Sequence, residues 1–197
     1  MPKIVDHNLR KQRIAEATWR VILEQGMEGA TVRNIAKEAG LSPGALRHDF
    51  STQEELLRYA MELVKEKATV RIRDLFAQDL KPRDKVLRIL LEIVPTSEET
   101  RAEMEVWMAF TAYFRHKQDN FDPHQDGIYM LVGKLIAYME GNGLLRQGVD
   151  QAMEAERLYA LIDGIALHAL MAPDRLDKQQ ISRLLVYHMD SILNTAG

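Results

Sequence analysis

The chain has 197 residues, enough for one or two domains with a sizeable core, and its 46% hydrophobic and 28% charged content is that of a globular protein rather than a disordered one. It contains no cysteine, which excludes disulfides, thiolate metal sites and a cysteine nucleophile. Net charge is −3, but residues 1–50 hold eight Lys/Arg against six Asp/Glu, with Lys3, Arg10, Lys11 and Arg13 set against Asp6 at the very front. A basic arm before a helix suits phosphate neutralisation; a solvated helix start is the equally simple alternative. No run approaches the roughly 18 apolar residues of a membrane span, and the N-terminus lacks the apolar core of a secretory signal, so a cytoplasmic protein without membrane partners is expected.

In chain order nearly every segment reads as helix, with no alternating run typical of strands. The first is expected from about Leu9 to Gln25, with Ile14, Ala17, Val21 and Ile22 as its apolar stripe and Gly26 as its stop. Thr31 caps a short second helix whose buried face is Val32, Ile35, Ala36 and Ala39, and Gly40 ends it. Ser42 caps a third, with Pro43 at the first helical position. Leu46 and Phe50, four apart, point inward together. Ser51 and Glu54 form a capping box for a long fourth helix reaching about Phe76. Further helices are expected near 83–94, 99–116, 124–142, 151–172 and 177–194, separated by Pro95 with Thr96 and Ser97, by the polar stretch from His116 to Pro123, by Gly141 to Gly143, and by Pro173 with Asp174. The expected class is all-α with about nine helices. The domains are 1–50, with residues 51–77 beginning a linker helix, and 78–197.

The informative segment is TVRNIAKEAGLSPGALRHDF, Thr31 to Phe50. It reads as helix, tight turn, helix. Gly40 supplies the turn, and Ile35, Leu41, Leu46 and Phe50 hold the crossing. Pro43, Gly44, Ala45, Arg47 and His48 remain on the outer surface of a helix slim enough to enter a major groove. An ordinary αα-turn is the alternative. Three features favour the groove reader: a preceding helix with a basic start, a following capped long helix, and an outer face without large apolar residues.

The order Gly26, Gly29, Thr31-Val32-Arg33, Ile35-Ala36, Ala39-Gly40-Leu41-Ser42, Gly44, Leu46, Phe50 and Glu54-Glu55-Leu56-Leu57 resembles the DNA-binding domain of the TetR family over about residues 8–57 without a gap. The stretches from Arg101 to Phe110 and from Leu161 to Ala166 resemble, more loosely, the choline-responsive BetI branch and its PksA-like relatives. The resemblance implies a ligand-responsive repressor that is not an enzyme and needs no cofactor. Its partners are double-stranded operator DNA, a small-molecule effector and a second copy of the chain. It also implies roles: Thr31 and Arg33 on phosphate; Ser42, Pro43, Gly44 and Ala45 at base edges; Arg47 and His48 where many relatives carry aromatic residues. His48 has a structural role as its alternative. Relatives often carry Lys where Gln53 stands, so one phosphate contact is missing, which Arg47 would offset.

Two recognition helices reach successive major grooves only from a dimer. The apolar stripes of the last two helices are the expected seam, with Leu158, Ile162, Ile165 and Ala169 on one and Ile181, Leu185, His188 and Ile192 on the other. Part of each stripe must instead be core; the resemblance implies a four-helix interface. The expected effector residues are Met104, Trp107, Met108, Phe110, Thr111 and Phe114, then Met130 and Leu131, with Asp163 and His168 as polar contacts. Plain core is the competing reading for each aromatic, and local hydrogen bonding for the two polar residues. Among rival functions, His116, Asp119, Asp122, His124 and Asp126 cluster as in a hard metal site but match no ligand motif. A helical adaptor that binds only protein would lack salt-dependent DNA affinity.

Overall fold

A computed structural model describes residues 2–116 and 127–194, with side chains for 7–115 and 127–194. The described residues form helices and one isolated bridge, Leu145 to Leu193, which pins the end of the last helix to the turn after the seventh. The helices are α1 Pro2–Gly29, α2 Val32–Glu38, α3 Pro43–Asp49, α4 Gln53–Ala77, α5 Pro82–Glu92, α6 Glu98–His116, α7 Gly127–Gly141, α8 Gln151–Met171 and α9 Lys178–Ile192. The all-α class expected from periodicity is the observed one. Helix α1 starts earlier than expected, with Pro2 at a first helical position, where its missing N–H costs nothing. Its regular path ends at Gly26, whose φ of 69° lies in the left-handed region.

The chain divides into two compact units, and the division falls elsewhere than the boundary expected at residue 78. The first comprises the described residues of Met1–Lys67 together with those of Glu105–Asp119; the second comprises Ala68–Met104 and the described residues of Asn120–Gly197. In the first unit Ile14, Val21, Ile35, Leu46, Phe50, Leu56 and Leu57 build one core with Val106 and Phe114. The second unit has a larger core, in which Ile89, Leu90, Leu135, Met139, Leu158, Ile162, Ile181 and Leu185 are all buried. Within it Arg71 lies between three carboxylates, bonding Glu103 at 2.6 Å and Glu92 at 2.9 Å with Glu99 at 3.5 Å. Those carboxylates hold the guanidinium proton even more firmly than usual.

Helix α4 starts one residue later than the sequence suggests. Thr52, rather than Ser51, accepts from the backbone N–H three residues on, that of Glu55 at 3.0 Å. Glu55 reaches back to the Ser51 backbone N–H and hydroxyl at 2.8 and 2.7 Å, and these bonds lower its carboxyl pKa. Thr52 is therefore the cap while Glu55 closes back on Ser51 just before it, a register that two adjacent hydroxyl residues and two adjacent glutamates allow.

Candidate nucleic-acid interface

The helix-turn-helix is set by three local devices. Thr31, in extended conformation, accepts from the Asn34 N–H at 3.2 Å and starts α2. At its far end the Gly40 N–H donates to Lys37 and the Leu41 N–H to Ala36, the paired bonds of a Schellman turn, with Gly40 at φ 68°. Ser42 accepts from the Ala45 N–H at 3.1 Å and starts α3 with Pro43 next in line. Of the seven residues of α3 only Leu46 and Asp49 are buried. Thr31, Arg33, Ser42, Pro43, Gly44, Arg47 and His48 are exposed and Ala45 is half-buried, so the surface expected to face DNA is open in the chain. A Cβ on Gly44 would meet only the Ser42 hydroxyl, at 4.0 Å, so nothing inside the chain demands a glycine there.

Several cations are left over and others are not. Arg33, Lys37 and Arg47 have no ion-pair partner among the described residues. Lys37 was not singled out by sequence; it lies one turn after Arg33 on α2, and that spacing was its signal. The basic start of α1 behaves differently from the expected phosphate arm. Arg10 pairs with the buried Asp49 at 2.8 Å, and Lys11 lies over the rings of Phe50 and Tyr59 at 4.9 and 5.8 Å. Gln53, where a phosphate-binding lysine was missed, donates to the Ala30 carbonyl at 2.7 Å and holds the entry to α2.

The expected effector residues do not form one group. Phe114 is buried in the core of the first unit, with Trp107 and Phe110 packed on that core. Arg58 stacks on the Phe114 ring at 4.5 Å, and Phe110 and Phe114 lie 4.3 Å apart. These aromatics pack with the first unit because the second half of α6 belongs to it, and Trp107 and Phe110 stay half-buried. Met104 belongs to the second unit and is buried, and Leu131 packs on the larger core. Met108 and Thr111 are half-buried, and the Thr111 hydroxyl oxygen is enclosed without a hydrogen-bond partner. Met130, Asp163 and His168 are exposed, so the last two are not polar groups sunk in an apolar interior. Asp119, Asp122, His124 and Asp126 lie outside the described residues, as does the His116 side chain.

The expected seam also needs correction. Leu158, Ile162, Ile165, Ala169, Ile181, Leu185 and Ile192 are buried within their own chain and form its core. His188 is buried too, and desolvation, with Arg157 adding to it, lowers its pKa from 6.5 to about 4. A residue already covered by its own chain has no surface left for a partner. The large apolar residues that α8 and α9 leave exposed are Met153 near the start of α8, then Leu167, Met171, Leu184 and Tyr187, with Met171 at 73% and Tyr187 at 79% of full exposure. Leu167 and Met171 are four apart on α8, and Leu184 and Tyr187 three apart on α9, so each pair forms a stripe on the side away from the core.

Comparison with known proteins places these features in context. Residues 14–60 match the family described as bacterial regulatory proteins, tetR family, and residues 82–194 match the BetI-type transcriptional repressor C-terminal family. The chain is 62% identical over 192 residues to the HTH-type transcriptional regulator PksA of Bacillus subtilis, covering 98% of this chain and 94% of that one. It is 31% identical over 202 residues to the regulator BetI of Escherichia coli K12, covering 99% and 100%. Among solved structures, a transcriptional regulator of Rhodococcus sp. Rha1 aligns with a TM-score of 0.75 at 26% identity over 92% of this chain and 95% of that one. A regulator of Saccharomonospora viridis, solved in complex with choline, shares the fold with a TM-score of 0.82 at 22% identity, covering 93% and 97%.

Proposed function

Because the chain belongs to the TetR family of transcriptional regulators, we propose that it works as a cytoplasmic homodimer that represses by binding operator DNA through α3 and releases it when a small molecule binds. The observation that supports this most directly is the outer face of α3. It is capped, open and nearly free of side-chain bulk at Ser42, Pro43 and Gly44, and it is flanked by Arg33, Lys37 and Arg47, cations without an ion-pair partner among the described residues. In this reading Ser42, Pro43, Gly44 and Ala45 approach base edges, Thr31 and Arg33 bind phosphate, and Arg47 and His48 contact backbone or bases. The exposed stripe of Leu167, Met171, Leu184 and Tyr187 forms the twofold seam. Met108 and Thr111, both in the first unit, contact the effector, the Thr111 hydroxyl finding there the partner it lacks in the free chain. The choline held by the S. viridis protein makes choline the first compound to test. No helix among the described residues is long and apolar enough to cross a membrane.

The test is selection of duplexes from a random-sequence pool by the full chain. The expected product is an inverted repeat whose half-sites are about one duplex turn, ~34 Å, or a multiple of it apart. Affinity should fall steeply between low and moderate salt. Recovery of no preferred sequence would overturn the assignment. Choline and other small amines are then titrated against the complex, and release identifies the effector class.

A further inference from the structure

Helix α3 ends on a buried carboxylate, which is the wrong charge for that place. Asp49 is its last residue, its side chain is 1% exposed, and a negative charge at a helix C-terminus is disfavoured by the aligned peptide dipoles. Burial adds a desolvation penalty. Two groups from α1 compensate. Arg10 Nε lies 2.8 Å from one carboxylate oxygen, an ion pair outside hydrogen-bond angle, and His7 Nδ1 lies 3.3 Å from the other. The same Arg10 guanidinium donates through its terminal nitrogen to the Ala45 carbonyl at 3.2 Å. Arg10 therefore spans one turn of α3, from Ala45 among the base-facing residues to Asp49 at its end.

The rest of the packing shows why such a brace matters. A helix of seven residues that buries one apolar side chain, Leu46, with Phe50 just beyond, is anchored on one line and free to roll about it. We infer that Asp49 and Arg10 are positioning residues for operator recognition: their ion pair fixes the roll of α3 about Leu46 and so sets the angle at which Ser42 to Ala45 meet base edges. His7 supports the carboxylate from the same helix. The inference rests on the operator reading above. It also removes Arg10 from the phosphate contacts, since its guanidinium is already committed.

A pair whose carboxylate is buried and whose guanidinium is 42% exposed adds little to stability compared with well-packed apolar residues, so the contribution inferred for it is geometric. That separates the two roles experimentally. The probes are the duplex selected by the wild-type chain and a scrambled duplex of equal length, each measured at two salt concentrations. Asp49→Asn, Arg10→Gln and the double variant Arg10→Met with Asp49→Leu are compared by thermal melting and by the ratio of selected to scrambled affinity. The ratio should fall about fivefold or more in all three, the discrimination carried by one base contact. Affinity for the scrambled duplex and the salt slope should stay within about twofold of wild type. Arg10→Lys, which keeps the charge but cannot reach both Ala45 and Asp49, should be intermediate. The double variant leaves no unpaired buried charge, so it decides the matter if a single variant melts. An unchanged ratio in the folded double variant overturns the inference. So does an Arg10→Gln variant that weakens both duplexes equally and lowers the salt slope by about one, because that is the signature of a phosphate contact. A wild-type chain that selects no duplex overturns the operator reading itself and takes this inference with it.

Discussion

Acidification should loosen the second unit through His188. The imidazole is buried between α8 and α9, its Nε2 has no hydrogen-bond partner, and Arg157 lies close enough to donate to the Ser191 hydroxyl at 2.7 Å while Ser191 bonds the His188 carbonyl at 2.6 Å. Burial first and Arg157 second hold its pKa at about 4 against 6.5. The unfolded chain therefore binds the proton more readily than the fold. Unfolding takes up a proton between pH 6.5 and about 4, so stability is full above that window and falls as the pH falls through it. Between pH 7 and pH 5 the full shift amounts to about 2 kcal/mol, and screening at the exposed Arg157 side reduces it to about 1 kcal/mol. For a chain of this size that is about 3 °C in Tm. The assay compares thermal melts of wild type and His188→Gln at pH 7 and pH 5. A buried glutamine carries its own penalty, but that penalty is the same at both pH values and cancels in the difference. The acid-induced drop in Tm should be smaller by about 3 °C in the variant. Equal drops in the two proteins, or a wild type that gains stability on acidification, would refute the argument.

Four further outcomes follow from the same geometry. Arg47→Ala should weaken binding to the selected duplex by about 1–3 kcal/mol per half-site without changing Tm, measured by fluorescence anisotropy; unchanged affinity would remove Arg47 from the interface. Tyr187→Glu should yield a folded monomer in sedimentation, because its side chain is 79% exposed in the single chain and touches no core. Ile162→Ala should instead cost about 2–5 kcal/mol in denaturant unfolding, since Ile162 is buried in the chain's own core. Thr52→Ala should cost about 1 kcal/mol through loss of the α4 cap, whereas Ser51→Ala should leave the N-cap bond to Glu55 intact.

The helix-turn-helix was legible in the sequence because each of its parts has a local cause. Thr31 and Ser42 cap whatever helix follows them, Gly40 takes a left-handed φ cheaply, and Leu46 and Phe50 fall on one side of any short helix. None of these depends on a distant neighbour. Asp49 shows where that reasoning stops. Its position four residues after Ala45 is plain in the sequence, but its partners His7 and Arg10 come from α1, 42 and 39 residues earlier, and no spacing rule links them. The same holds for Gln53, whose bond to the Ala30 carbonyl turns an apparent gap in the phosphate contacts into a structural tie.

The expected seam and the expected effector cluster differ from the observed packing for one physical reason. Periodicity identifies an apolar face but not what lies against it. Along α8, Leu158, Ile162, Ile165 and Ala169 form the strongest stripe, and the strongest stripe of a helix goes to its own core, because intrachain burial needs no second molecule. The weaker stripe of Leu167 and Met171 stays exposed, interleaved with Asp163 and His168 and therefore unremarkable as sequence. In α6 the aromatic run from Trp107 to Phe114 was equally clear, and its destination equally hidden. A helix that begins in one compact unit and ends in the other has its later residues claimed by the unit that its sequence neighbours do not belong to. Within the first unit this redirects the effector question to the half-buried Met108 and Thr111. Replacing Thr111 by Val, which keeps the shape and removes the unpartnered hydroxyl, should preserve or raise Tm while weakening effector-driven release. Release unaltered by that change would take Thr111 out of the effector site and leave its buried oxygen without a function.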